Sequence, residues 1–233
     1  MLKKLLLISI VLTQFVYVSA QELLTPMFSF SSSKTSYVTL KDGSEVKGTV
    51  HGSKVEKGNL SLIVIKDDNG KKHEMKAEDI KFMYIAPNSI AKLAKAKDNI
   101  TNVQKWSDDK LNQDYLSQGL LYFESIDVKI KDKTYPLLME LLNPSFCSKI
   151  SVYADPNAHE SMSFGVGPMT LAGGELESYF IKPTGEPEAY LVKSSKYKDD
   201  FKKVFGKCDK LSDVKDIKWS NFTNDIITYT GCE

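Results

Sequence analysis

Arginine is absent from this 233-residue chain, and all 31 of its basic side chains are lysine. Arginine's planar fork is the usual device for bidentate capture of phosphate, carboxylate or guanine, whereas lysine binds anions as a point charge. A phosphoryl-transfer centre or a base-reading DNA interface is therefore disfavoured. Histidine is nearly as scarce, with only His51, His73 and His159. No Gly-x-Ser-x-Gly elbow and no His-Glu-x-x-His helix occurs, which removes the common signatures of serine hydrolases and zincins. Gly165-Val166-Gly167 lacks a third glycine and runs into Pro168, so it is not a phosphate loop. No cofactor motif and no internal repeat is found.

Long apolar runs are also missing, with one exception at the start. Met1-Leu2-Lys3-Lys4 is a short basic segment, and Leu5 to Val18 is apolar apart from Ser9, Thr13 and Gln14. Val18-Ser19-Ala20 then places small residues where a signal peptidase reads, which predicts cleavage between Ala20 and Gln21. The run is shorter than the roughly 20 apolar residues of a membrane helix. No cysteine follows the cleavage point, so no lipid anchor is expected and the mature chain carries no transmembrane segment. Removing residues 1–20 takes away Lys3 and Lys4 and lowers the formal charge from +1 to −1. A neutral surface offers no global attraction to nucleic acid or to an anionic membrane.

Three cysteines remain, Cys147, Cys208 and Cys232. In an oxidising compartment one disulfide and one thiol is the natural arithmetic. Three pairings are open. Cys208 and Cys232 share the C-terminal helical region and are the favoured pair, leaving Cys147 as a small buried hydrophobe.

The pattern along the chain predicts an α+β protein. Residues 21–34 end in a serine-rich stretch and read as a mobile leader or edge segment. Residues 35–86 alternate in short strands with turn signals at Asp42-Gly43 and Asp67-Asp68-Asn69-Gly70, the pattern of a small five-stranded β-barrel. Residues 87–118 hold a helix, with Ile90, Leu93, Ile100 and Val103 on one face, followed by a polar connector. Residues 119–193 form a second, antiparallel β region in which Phe123, Ile126, Val128 and Ile130 are candidate inward positions. A further hairpin is expected around Gly173-Gly174. Residues 194–233 turn helical, with Tyr197, Phe201, Val204 and Phe205 at i, i+4, i+7, i+8 and Gly206 as a stop. Ser220 is expected to cap the last helix.

The opening Val38-Thr39-Leu40-Lys41-Asp42-Gly43, followed by Val46-Lys47-Gly48-Thr49-Val50, resembles the start of an Sm-like or SH3-like small barrel. In such barrels the strand glycine lets the sheet bend sharply. After Ile80-Lys81 the chain continues with Phe82, where the Sm pattern has a basic residue and a glycine. The whole chain is similar to uncharacterised exported proteins of Gram-negative bacteria. That likeness rests on the leader with Gln21, the barrel opening, Ser178-Tyr179-Phe180-Ile181-Lys182, the Phe201–Cys208 helix end and the closing aromatic helix with Cys232. It implies a periplasmic or outer-membrane location and supplies no reaction.

Among chemically capable groups, Asp155-Pro156-Asn157-Ala158-His159-Glu160 is the sharpest. Asp155, His159 and Glu160 offer oxygen and nitrogen ligands to a divalent metal from one loop, although Asp-Pro-Asn is equally an ordinary turn. Ser161, Ser163 and Cys147 complete the possible nucleophiles near His159. Three readings follow. The first is a non-enzymatic exported module that binds an envelope protein or surface polymer without a cofactor. The second is a hydrolase or metal-dependent enzyme centred on residues 155–165. The third is a small-ligand carrier.

Overall fold

The computed structural model describes residues 22–27, 29–56, 58–88, 111–158 and 176–232. Residues 1–21, the expected helix after Asn88, the Gly173-Gly174 hairpin, and His159, Glu160, Ser161 and Ser163 lie outside the described residues.

The protein is α+β, built on one mixed ten-stranded sheet. The N-terminal unit supplies β1 (Thr35–Leu40), β2 (Glu45–Glu56), β3 (Asn59–Lys66), β4 (Lys72–Lys76) and β5 (Ile80–Ile85). Its turns fall where the local chemistry puts them. Asp42 Oδ1 accepts from the Ser44 N–H at 2.8 Å, and Asp67 Oδ1 accepts from the N–H groups of Asn69 and Lys71. These are Asx turns, which replace absent ladder bonds at a reversal. Gly48 is fixed by proximity: a Cβ there would lie 2.2 Å from the Lys66 carbonyl oxygen on β3. Two register shifts in β2, at Val50/Gly52 and Lys54/Val55, bend the sheet further.

The five strands run in the order β4-β3-β2-β1-β5, but they do not close into the expected barrel. The sheet is open, because the outer edge of β5 pairs with β6 (Leu121–Ile130) instead of β4. Four antiparallel pairs, Phe82–Glu124 to Ile85–Leu121, carry the sheet onward.

The second half adds β7 (Lys133–Glu140), β8 (Ile150–Ala154), β9 (Ser178–Pro183) and β10 (Ala189–Lys193). It is not purely antiparallel: β10 joins β6 in parallel at Ala189–Val128 and Tyr190–Lys129. β7 covers the opposite edge of β6 from Phe123–Glu140 to Ile130–Lys133. Past β7, Leu141 bridges Tyr153. Phe123 and Ile126 do not share a face. Leu121 and Phe123 enter the core beneath the N-terminal strands, while Tyr122, Ile126 and Val128 enter a second core on the other side. Ile130, at the hairpin tip, is 38% exposed.

A short helix α1 (Gln113–Ser117) occupies the expected polar connector, with Asn112 Oδ1 accepting from the Tyr115 N–H as its cap. The C-terminal layer is α2 (Tyr197–Phe205), α3 (Asp209–Ser212) and α4 (Phe222–Thr230). The four apolar positions of α2 are all buried. A 3₁₀ turn at Trp219–Asn221 leads into α4, and no side chain caps that turn or the helix. A third core joins these helices to β8, β9 and β10. Tyr179 stacks on Phe222 with ring centroids 5.0 Å apart, and the Tyr197 hydroxyl donates to Asp225 at 2.6 Å. Burial raises the Asp225 pKa, with the Tyr197 bond opposing it. Cys208 and Cys232 sit at disulfide distance, with Cα atoms 5.6 Å apart.

Residues 22–27 and 29–31 form a docked edge strap. Leu24 N–H donates to Leu142 O, Met27 N–H to the buried Glu140 carboxylate, and Ser31 N–H to Ala86 O. Leu23 and Leu24 pack on the helical core, while Met27 and Phe30 pack on the N-terminal one.

Asn143 is fully buried and fully used. Its Nδ2 donates to the carbonyls of Phe146 and Ile150, and its Oδ1 accepts from the Val152 N–H. Asn143→Ala leaves these groups unpaired and should cost about 2–4 kcal/mol in denaturant unfolding. The Cys208–Cys232 pair spans 24 residues, and loop-closure entropy gives about 3 kcal/mol for such a link. Unfolding with and without reductant measures that difference.

Candidate functional site

The parallel pairing of β10 with β6 stops at Tyr190. Beyond it the β6–β7 hairpin tip leaves β10, and a cleft of about 420 Å³ opens between Ile130 and Leu191. Its floor is Phe180, and its polar rim comes from the ends of three strands, with Asp155 and Asn157 after β8, Glu177 and Ser178 at β9, and Lys193 to Ser195 after β10. Among the described residues, Leu191 to Lys193 have no ladder partner on the side facing this cleft.

Asp155, one of the three expected metal ligands, lies in this cleft. It is 8% exposed. Its Oδ2 accepts from the Ser178 hydroxyl at 2.6 Å, and its Oδ1 accepts from the Asn157 N–H at 2.9 Å. Its backbone carbonyl accepts from the Ala158 N–H. The carboxylate thus holds the Asp-Pro-Asn turn against β9. Gly58, at φ +81°, packs on Pro156 from the β2–β3 turn, where a Cβ would approach within 3.0 Å, so the N-terminal half also fixes this loop. Among the described residues no group of three or more His, Cys, Asp or Glu converges as a metal site.

Ser178, Glu177 and Lys193 were not singled out by sequence. They share the cleft with Asp155 only through the β8–β9 and β9–β10 ladders, where Ala154 faces Tyr179 and Ser178 faces Lys193. No local pattern encodes that meeting.

The other nominated groups among the described residues are elsewhere. Cys147 is buried, with its thiol directed at the Pro144 carbonyl at 3.6 Å. His51 is exposed on β2. His73 Nε2 meets Asp67 Oδ2 at 2.8 Å across the β3–β4 hairpin. Tyr153, on β8, is 1% exposed and donates to Glu124 on β6 at 2.7 Å. Burial first, and then the Glu124 charge, hold the Tyr153 phenol well above the ordinary tyrosine range. No helix among the described residues is long and apolar enough to cross a membrane.

Comparison with known proteins finds no family model, no curated protein and no solved structure that matches the chain.

The His73 contact, followed by the turn N–H groups, lowers the Asp67 pKa below 3.8 despite some desolvation. A lowered carboxylate pKa contributes stability above the unfolded value and loses it as pH falls through the folded value. His73→Phe should therefore have a lower thermal midpoint than the parent above pH 3.8. The two midpoints should converge at lower pH, which a thermal-melt series across acid pH will show.

Proposed function

We propose that the protein is exported and acts without catalysis, as an envelope module that binds another protein or a surface polymer. The observation that carries this reading is the cleft beside β10. Its most reactive-looking groups, Asp155 and Ser178, are bonded to each other and to the turn. What the cleft offers a partner is a strand edge with no ladder partner among the described residues, flanked by the apolar side chains of Ile130 and Leu191. An extended segment can add to such an edge through main-chain hydrogen bonds, with side-chain contacts selecting the partner. The Tyr135 ring, 43% exposed on the neighbouring hairpin, extends the apolar surface.

Export is supported by the basic-then-apolar leader ending in Val18-Ser19-Ala20 and by the Cys208–Cys232 pair. On this reading, and on the sequence's likeness to exported Gram-negative proteins, the mature chain works in the periplasm, at the outer membrane or outside the cell. Nucleic acid is not the expected partner, because arginine is absent and the mature charge is near neutral. The metal-dependent alternative requires His159 and Glu160 to join Asp155. The carrier alternative requires an enclosed apolar cavity in place of a cleft with a polar rim.

Two measurements test this. The intact mass of material recovered from the envelope should start at Gln21 and lack the two hydrogens of one disulfide; a chain retaining residues 1–20 overturns export. A pull-down from envelope fractions should return a partner that Ile130→Asp loses. Repeated recovery of nothing by the parent protein counts against the binding role.

A further inference from the structure

Seventy-eight residues separate Tyr37 on β1 from Tyr115 on α1, yet their rings lie face to face. The centroids are 4.1 Å apart and the planes differ by 14°. Both side chains are partly exposed. At that separation the two ring faces are in van der Waals contact. Burial, with the Tyr37 hydroxyl beside it, holds Tyr115 above the ordinary tyrosine pKa, so Tyr115 is a neutral phenol at physiological pH. The Lys47 ammonium lies over the Tyr37 ring at 5.9 Å. Tyr37 stacks on Tyr115 and faces Tyr84 across the β1–β5 ladder.

We propose that Tyr37 and Tyr115 are a site of oxidative cross-linking, joined as dityrosine by a peroxidase-class oxidant using hydrogen peroxide. Each phenol gives up one electron and its hydroxyl proton. The two phenoxyl radicals then form one carbon–carbon bond between ortho positions. The hydrogen on each joined carbon leaves as a proton while the carbonyl oxygen regains one, which restores both aromatic rings. Two electrons and two protons are lost in all, and peroxide takes them up as its O–O bond breaks to give two waters.

The surrounding rings favour this pair over other tyrosines. Tyr84 lies 5.1 Å from Tyr115, and Tyr122 lies 5.0 Å from Tyr84. Both are buried. An electron removed from either buried ring can be replaced from the next, and the vacancy ends at the two rings that are stacked and able to couple. The product would covalently fasten α1 to β1. Neither export nor the cleft enters this argument.

The test treats the purified full-length mature protein, in dilute solution, with peroxidase and hydrogen peroxide, followed by digestion and peptide mass mapping. The expected product is one intrachain peptide pair carrying Tyr37 and Tyr115 and lacking two hydrogens, with dityrosine fluorescence. Tyr37→Phe and Tyr115→Phe should each abolish that product, while Tyr135→Phe should leave it unchanged. Thermal melts of the variants confirm that they fold. The proposal is overturned if the parent map shows no such pair, if its cross-links run mainly between chains through Tyr135, or if the intrachain fluorescence survives in Tyr37→Phe.

Discussion

Strand β6 is hydrogen-bonded on both edges and buried on both faces over Leu121–Phe123, and most of the architecture follows from that. One edge belongs to β7. The other is divided between β5 in its first half and β10 near its end. Its odd-numbered residues Leu121 and Phe123 fill the N-terminal core, and its even-numbered residues Tyr122, Ile126 and Val128 fill the next. Because side chains alternate with a period of two, a one-residue slip would exchange these two sets. Phe123 has no exposed surface and meets Phe30 edge-on, whereas Val128 belongs beside Ala189 in a different core. The register of this one strand thus sets both cores together.

The limited reach of the β6–β10 pairing produces the candidate site. The two strands pair at Ala189–Val128 and Tyr190–Lys129, and past Tyr190 the β6–β7 hairpin tip parts from β10. Among the described residues this leaves Leu191 to Lys193 without a ladder partner on that side. The cleft is therefore a consequence of topology, and the Asp155–Ser178 bond shapes its rim.

Local chemistry made the turns and strands of residues 35–86 legible, because Asp42-Gly43 and Asp67 to Gly70 dictate reversals within four residues. Closure was not legible. It depends on whether the β5 edge meets β4 or a strand that begins at Leu121, and that choice is settled by burial of Phe123 and Leu138 against the N-terminal core. The parallel β6–β10 pair joins residues 61 apart, and no periodicity reports it. The strap did carry a signal in its apolar Leu23, Leu24, Met27 and Phe30, which the serines after them obscured. At the site, Asp155 was visible from its Asp-Pro-Asn turn. Ser178 was not, because its role comes from a ladder partner's neighbour. Asn143 precedes Pro144 and has no local pattern that marks its role; only the approach of β8 reveals it as a three-bond clip.

The strap and the last helix are fastened to the same body. The strap ties the helical core to the N-terminal core through Leu24 and Met27, and Cys232 ties the last helix back to the end of α2. These fastenings act on different parts of the free energy. A cross-link mainly lowers the entropy of the unfolded chain, whereas the strap gains by burying apolar side chains and satisfying the Glu140 carboxylate in the folded state. Reducing the cysteines therefore leaves the native contacts in place, while displacing the strap exposes two cores and a buried charge together. Because that loss reaches both halves at once, the sheet and its helical layer should unfold as one cooperative unit despite the branch at β6.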